Sequence, residues 1–124
     1  MSRNLEVGGI YIAYIADIYP PKEKRCICVN LSPDLFLLVN TLNRKNYDCI
    51  PILQRDHSFL GMDRWIECAD AFDLSSVNIS DRISFLTFDE IVLIHKKIKE
   101  NKKMKKSVKT KILNSLDELL DDYR

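Results

Sequence analysis

The pattern of apolar and polar positions divides the chain near Thr87. Before that residue, short apolar runs are separated by turn-forming residues, which is typical of β-strands. The runs read GGIYIAYIA, RCICVNL, LFLLVNT, YDCIPIL, RWIECA and RISFL. No helical pattern separates them. The pattern therefore predicts a small, strongly bent antiparallel sheet or barrel over residues 8–88.

Individual runs carry further information about the predicted sheet. GGIYIAYIA is nearly continuous in apolar residues after two glycines, which indicates a strand buried on both faces. The segment SPD between RCICVNL and LFLLVNT is rich in turn formers, so these two runs are predicted to form a hairpin. Pro51 restricts its own run to a sheet edge or a bulge, because proline has no backbone N–H to donate.

After Thr87 the apolar residues recur at helical spacing. Thr87 and Glu90 have the spacing of a capping box, which predicts that a helix starts here. The predicted inward stripe of this helix consists of Phe88, Ile91, Val92, His95 and Ile98. A second helix is predicted over about 107–121, with Val108, Ile112, Leu116, Leu119 and Leu120 on one side. The two helices together are expected to occupy residues 88–121.

Length and composition limit the class of protein. The 124 residues suit a single domain, 1–124, with 46% hydrophobic and 30% charged residues, as in soluble globular proteins. The sequence has no apolar stretch of about 18 residues, as a membrane span would need. Its beginning, MSRNLEVGG, lacks the apolar segment of a signal peptide. We therefore expect a cytoplasmic protein without membrane contact and with reduced cysteines.

The net charge of +1 hides an uneven distribution. Residues 95–111 contain nine lysines and one glutamate, so the rest of the chain is acidic overall. Such a basic segment suggests an anionic partner, but lysines are also the commonest residues on solvated helix faces. The solvated face is the preferred interpretation, and an anionic partner is its alternative.

The four cysteines do not have the spacing of a metal site. Cys26 and Cys28 form a C-x-C pair, whereas structural zinc sites usually place two to four residues between paired cysteines. Cys49 and Cys68 stand alone. Because free cysteine behaves as a small buried hydrophobe, we expect core packing, no zinc or other cofactor, and no disulfide.

The sequence also lacks a recognisable hydrolytic motif. His57 and Ser58 are adjacent, so their side chains should diverge instead of forming a nucleophile–base pair. His95 lies on the apolar stripe of the first predicted helix and is interpreted as a packing residue. No Gly-rich phosphate loop and no G-x-S-x-G motif is present.

A set of polar residues remains at the predicted strand ends. An arginine that opens a strand after a lysine-rich loop, as Arg25 does, suits a phosphodiester, because a guanidinium can bind phosphate oxygens at two points. Thr41 ends the next strand across the SPD turn, so its hydroxyl could lie near Arg25. Trp65 is interpreted as a core residue or, alternatively, as a surface on which a base stacks. The full set is Arg25, Asn40, Thr41, Arg44, His57, Arg64 and Trp65.

The order of these features resembles the PemK/MazF family of bacterial toxins, which are small SH3-like barrels with C-terminal helices that cleave single-stranded RNA. The resemblance covers roughly residues 6–116 and rests on the segments GGIYIAYIA, KRCICVN, LLVNT, FLGMDRWIECADAFDLS and RISFLTFDEIVLIHKKI. The chain departs from the family in three places. Cys26 replaces a usual proline, DIYPPKEK replaces a Gly-Ser-Glu type loop, and Arg64 stands where a serine is common.

The resemblance implies a metal-independent endoribonuclease with an SH3-like antiparallel barrel. Arg25 would act on the scissile phosphate with Thr41 as its partner, and the products would be a cyclic phosphate and a 5′-hydroxyl. The resemblance also implies a homodimer that a cognate antitoxin protein holds in check. The residues expected to contact RNA are Lys24, Asn40, Arg44, His57, Arg64 and Trp65.

Two alternatives stay open at this point. The first is a non-catalytic SH3-like barrel that binds RNA or a protein partner through the same groove. The second is an interaction protein that acts through its basic helix. Both alternatives keep the predicted fold, because a fold does not by itself determine an activity.

Overall fold

The computed structural model describes residues 4–15 and 22–123. The strands are β1 (Gly9–Ile15), β2 (Lys22–Asn30), β3 (Leu35–Asn40), β4 (Cys49–Ile52), β5 (Arg64–Asp73) and β6 (Ser84–Phe85). The helices are α1 (Phe88–Glu100) and α2 (Lys106–Asp121), and short 3-10 turns lie at Lys45–Tyr47 and Ser58–Leu60. The change from strands to helices therefore falls at Thr87, as predicted.

The strands form one six-stranded antiparallel sheet in the order β4-β5-β3-β2-β1-β6, bent into a half-barrel. This architecture confirms the predicted mainly-β fold with two C-terminal helices. The SPD segment joins β2 and β3 as a hairpin, in which Asn30 pairs with Leu35. Pro51 lies in β4 at one edge of the sheet, as its missing N–H requires.

Each face of the sheet buries a separate apolar cluster. Because successive side chains on a strand point to opposite faces, β2 contributes Ile27 and Val29 to one face, and Cys26 and Cys28 to the other. The larger cluster includes residues of β1 to β5 and of both helices, and α1 and α2 cover it. The smaller cluster consists of Tyr11, Ala13, Cys26, Cys28, Phe36 and Leu74. The expectation that β1 is buried on both faces is thus confirmed.

Gly8, directly before β1, allows the close approach of α2. Gly8 has a φ of 91°, which side-chain-bearing residues rarely adopt. A Cβ at this position would lie 2.8 Å from the Leu119 side chain and 2.8 Å from the Phe85 ring. Glycine therefore lets the chain enter β1 directly beneath these two side chains.

Helix α1 begins with the predicted capping box. The Thr87 hydroxyl accepts a hydrogen bond from the Glu90 N–H at 3.2 Å, and Glu90 Oε1 accepts one from the Thr87 N–H at 2.9 Å. At the other end, the Asn101 side-chain amide donates to the carbonyls of Cys68 at 3.1 Å and Ala69 at 3.0 Å. Both ends of the helix are therefore fixed by polar contacts, since buried backbone groups need partners.

The buried stripe of α1 differs from the predicted one. Ile91 and Ile98 are buried as expected, but Ile94 takes the central position, while Phe88 is 47% and Val92 42% exposed. His95 is half-buried, and its Nε2 lies 2.8 Å from Asp117 Oδ1 on α2. The buried side of α1 is therefore rotated relative to the predicted one, and it includes Glu90, whose contacts are described below.

The second helix follows the prediction more closely. Ile112 and Leu116 are fully buried, and Val108, Leu119 and Leu120 pack against them at the margin of the larger cluster. Neither α1 nor α2 is long and apolar enough to cross a bilayer.

Candidate functional site

Strand alternation places the predicted site residues on two different faces of the sheet. Arg25 shares the face of Ile27, whereas its neighbour Lys24 shares the face of Cys26. The same rule assigns Arg64 to the face of Ile66 on β5. The sequence-based set therefore forms two separate groups.

Arg25 lies near the start of β2 and is half-buried. Its Nε atom is shielded from solvent and is the one buried side-chain polar atom without a hydrogen-bond partner in residues 4–15 and 22–123. No carboxylate in these ranges forms an ion pair with it. Buried polar groups are nearly always satisfied in folded proteins, and an exception needs an explanation.

Arg64 opens β5 and is also half-buried. Its Nε donates to the Leu60 carbonyl at 3.1 Å. Burial, and to a smaller extent the charge of Arg25, lower the pKa of the Arg64 guanidinium. Arg25 and Arg64 lie on the same face of neighbouring parts of the sheet, with β3 between their strands, and we refer to them as the arginine pair.

Thr41 follows β3 directly and is exposed. The ladder between β3 and β5 ends with Asn40 opposite Trp65. If the ladder is extended by one residue, Thr41 lies opposite Arg64 and diagonal to Arg25 on the same face. Within the described part of the chain, no hydrogen bond joins Thr41 to the arginine pair, so its hydroxyl is placed beside the cations but not fixed to them.

A groove of about 690 Å³ lies on the other face of the sheet. Three of the predicted RNA-contact residues, Lys24, Asn40 and Arg44, line it. Lys24 Nζ donates to Asn40 Oδ1 at 2.6 Å, and burial lowers the pKa of Lys24. The apolar residues that line it are Ile15, Leu38, Phe72, Leu74 and Val77.

The electrostatics of this groove are mixed. Arg44 binds Glu67 at two points, with Nε 2.8 Å from Oε2 and Nη2 3.1 Å from Oε1, and this bond raises the pKa of Arg44. The Arg44 guanidinium also lies 3.8 Å from the centre of the Tyr47 ring. Asp70 and Asp73 add further carboxylates to the wall. A phosphate chain in the groove would meet these acids, so the groove better suits a ligand that carries both charges and apolar groups.

Trp65 is half-buried near the start of β5, where it pairs with Asn40 of β3 on one side and with Pro51 of β4 on the other. Alternation assigns its side chain to the groove face, opposite to that of Arg64. Trp65 is therefore separated from the arginine pair by the thickness of the sheet. The structure does not bring the two residues together into one RNA-binding surface.

The expected role of His57 in contacting RNA does not fit its environment. His57 is 2% exposed, and both ring nitrogens are used. Nδ1 lies 2.8 Å from Ser84 Oγ, and Nε2 lies 2.8 Å from Glu90 Oε1. Because the Glu90 carboxylate accepts, Nε2 carries the proton of this bond. We call His57, Ser84, Thr87 and Glu90 the His57 network, and within it no nitrogen of His57 is left for a ligand.

The His57 network joins parts of the fold that are distant in the sheet order. His57 follows β4, Ser84 belongs to β6, and these strands are the two edges of the half-barrel. Glu90 adds α1. A serine, a histidine and a glutamate in this order also occur in hydrolases, but Glu90 additionally caps α1, and none of the three lines the groove. The burial of His57 and these structural contacts indicate that the network joins the two edges of the half-barrel to α1.

The sequence analysis missed Ser84 and Glu90 as partners of His57. The partners lie 27 and 33 residues away along the chain, so no local motif connects them. The capping box identified Glu90, but a residue that caps a helix is ordinarily assigned to the surface. The capping-box spacing thus indicated Glu90, but only as a residue that caps α1 and not as a partner of His57.

The cysteines and the lysine-rich segment need no special chemistry. Cys26, Cys28 and Cys68 belong to the two buried clusters, and burial raises the pKa of the Cys68 thiol to about 12. No group of three or more metal-ligating side chains occurs within residues 4–15 and 22–123. Most lysines of residues 95–111 are exposed on α1, α2 and the turn between them.

Comparison with known proteins gives no matching family model and no matching curated sequence. The resemblance to PemK/MazF toxins therefore depends on the sequence segments quoted above.

Proposed function

We propose that this protein is a metal-independent endoribonuclease of a toxin–antitoxin system and that its half-barrel is of the SH3-like type. The observation that carries the proposal is Arg25, whose shielded Nε–H has no partner in the described protein. An unsatisfied buried donor costs about 1–3 kcal/mol of stability, which is retained where function requires the group. A phosphate oxygen supplies the missing acceptor.

The proposed chemistry needs no general base from Arg25. In RNA, the 2′-hydroxyl attacks the adjacent phosphorus and gives up its proton. The bond to the 5′-oxygen breaks and that oxygen takes up a proton, so a cyclic phosphate and a 5′-hydroxyl result. The protein aligns this attack and stabilises the charge that develops on phosphorus. Arg25 fits the second task, since a guanidinium group is a permanent cation in proteins and can donate to phosphate oxygens at two points. Thr41, next to the arginine pair in the extended ladder, is assigned to positioning the reacting oxygens.

The partners in this proposal are single-stranded RNA, a second copy of the chain and a cognate antitoxin. The two faces divide the binding tasks. The arginine pair takes the phosphate, while the groove with Lys24, Arg44 and Glu67 suits a protein segment. This division replaces the single RNA surface that the sequence suggests.

A second candidate function follows from the groove itself. The groove has a volume of about 690 Å³ and is lined by apolar groups and by charges of both signs, which suits a partner that carries both, such as a protein segment. In this alternative the protein is a non-catalytic barrel, and the groove is its working surface.

One experiment separates the two candidates. The wild-type protein is incubated in a metal chelator with a mixed-sequence single-stranded RNA and, as the matched control, with the same sequence as DNA. We expect cleavage of the RNA only, because DNA lacks the attacking 2′-hydroxyl, and end-group analysis should find cyclic phosphate. Binding of the RNA without cleavage supports the non-catalytic barrel. Cleavage of both the RNA and the DNA rules out the proposed mechanism.

A further inference from the structure

The arginine pair has two features that a single catalytic arginine does not explain. Both arginines are half-buried residues on one face of the sheet, and burial, with a smaller contribution from the charge of Arg25, lowers the pKa of Arg64. In the described ranges, neither forms an ion pair with a carboxylate. Like charges held together in this way destabilise the fold unless an anion shared by both offsets their repulsion.

The free donors of the pair indicate where that anion binds. Arg25 offers its unpaired Nε–H, and Arg64, whose Nε is held by the Leu60 carbonyl, offers its terminal Nη groups. The bond to Leu60 also fixes the orientation of the Arg64 fork. Glu23 lies two residues before Arg25 on the same face of β2 but is exposed and is not paired with either arginine.

The number of cations indicates the charge of the ligand. A phosphodiester carries one negative charge, whereas a phosphate monoester carries nearly two at neutral pH. The phosphorane formed when a 2′-oxygen attacks a diester also carries two. We propose that Arg25 and Arg64 together form one site for a doubly charged phosphate oxyanion and that Arg64 supplies the second charge. Its catalytic consequence, stronger binding of the transition state than of the substrate, rests on the proposed endoribonuclease function.

The binding site can be tested without any cleavage. Side-chain Nε–H signals of the arginines are followed by ¹H–¹⁵N NMR during titration with methyl phosphate, a dianion, and with dimethyl phosphate, a monoanion of similar shape. We expect both Arg25 and Arg64 signals to shift, with methyl phosphate binding roughly tenfold more tightly, as one additional charge-assisted contact provides. Equal affinity for the two anions, or no shift of either signal, overturns the proposal.

Variants show whether the two arginines act as one site. Arg64→Ala should weaken methyl phosphate binding by about tenfold and remove the preference over dimethyl phosphate. Arg64→Lys keeps the positive charge but loses the bond to the Leu60 carbonyl, and it should keep part of the affinity. This variant therefore separates the effect of losing the charge from the effect of losing the Leu60 contact. Arg55→Ala, in the exposed loop after β4, is the control and should bind as the wild type does. If Arg64→Ala binds both anions as the wild type does, Arg64 is not part of the site.

The two proposals fail in different ways. If the protein leaves RNA intact but binds methyl phosphate through both arginines, the anion site is supported and the nuclease proposal is wrong. A protein that cleaves RNA but shows no dianion preference keeps the nuclease and loses this role of Arg64.

Discussion

The His57 network and the arginine pair treat buried polar groups in opposite ways. In the network, the two nitrogens of His57, the Glu90 carboxylate and the Thr87 N–H all have partners within 2.9 Å. In the arginine pair, Arg25 Nε has none, and two half-buried like charges share one face of the sheet. Both sites are built from residues that sequence motifs associate with catalysis.

The difference shows which of two chemically suggestive clusters is available for function. A network whose members satisfy one another stabilises the fold and offers a ligand nothing. A shielded donor without an acceptor lowers stability and leaves a hydrogen bond that a ligand can supply. The more familiar constellation, serine–histidine–glutamate, is here the structural one.

The largest expected effect concerns activity at the arginine pair. Arg25→Ala should reduce RNA cleavage by about 100- to 1,000-fold, because one donor to the developing charge is lost. Arg25→Lys should also fail, since an ammonium keeps the charge but not the two-point geometry. Thr41→Ala should give a smaller loss, because water replaces a hydroxyl in part. Cleavage rates under single-turnover conditions measure all three, and an Arg25→Ala rate near that of the wild type would exclude Arg25 from the chemistry.

The second prediction disrupts the His57 network. Glu90→Ala should lower the free energy of unfolding by about 3 kcal/mol, because it leaves His57 Nε2 and the Thr87 N–H without partners. Glu100→Ala, on the exposed surface of the same helix, is the control and should change stability by less than about 0.5 kcal/mol. Urea denaturation measures both. Equal stabilities of the two variants would show that the contacts of the His57 network do not stabilise the half-barrel.

The third prediction concerns the Cys68 thiol, which is buried in the core and keeps its proton there. Because the Cys68 pKa is about 12 in the folded protein and its usual value is 9.0, the unfolded chain loses this proton first as the pH rises. Stability is therefore fully present below pH 9.0 and falls above it, by up to about 1.4 kcal/mol per pH unit, until the folded pKa is reached. Denaturation between pH 8 and pH 11 should show a steeper decline for the wild type than for Cys68→Ala. Parallel curves would mean that Cys68 ionises as readily in the folded protein as in the unfolded chain.

The smallest effect tests the stability cost of the unpaired donor. Arg25→Met keeps most of the side-chain volume and removes the unsatisfied Nε–H, so stability should stay unchanged or rise by about 1 kcal/mol. Lys24→Met, one position away on the opposite face, removes the hydrogen bond to Asn40 and should lower stability by about 1 kcal/mol. Thermal melts of both variants measure the contrast. A clear loss of stability in Arg25→Met would give Arg25 a structural role instead.

Local patterns predicted most of the fold. The alternation of apolar residues, the SPD turn and the capping box each act over a few neighbouring residues, so the strands, the hairpin and the start of α1 follow from the sequence. The buried stripe of α1 did not. Ile91 and Ile98 fit two overlapping stripes, and the choice between Val92 and Ile94 depends on Glu90 turning towards His57, a contact across 33 residues.

The candidate site was predicted only in part for the same reason. Strand alternation could have separated Lys24 from Arg25, because adjacent strand residues face opposite sides. Two other facts were not readable in the sequence. The unpaired state of Arg25 depends on what the whole fold places around it, and the binding of Arg44 to Glu67 joins residues from β5 and the loop after β3.

The sheet order has a consequence for synthesis on the ribosome. The outer edge of β1 is covered by β6 and by the bridge between Ala13 and Ile79. At roughly 5–20 residues per second, the segment that covers this edge leaves the ribosome seconds after β1 does. During that interval β1 exposes unpaired backbone groups beside apolar side chains, a template for pairing with another chain. Until the segment with Ile79 and β6 emerges, the edge of β1 is therefore a site at which the nascent protein can pair with another chain.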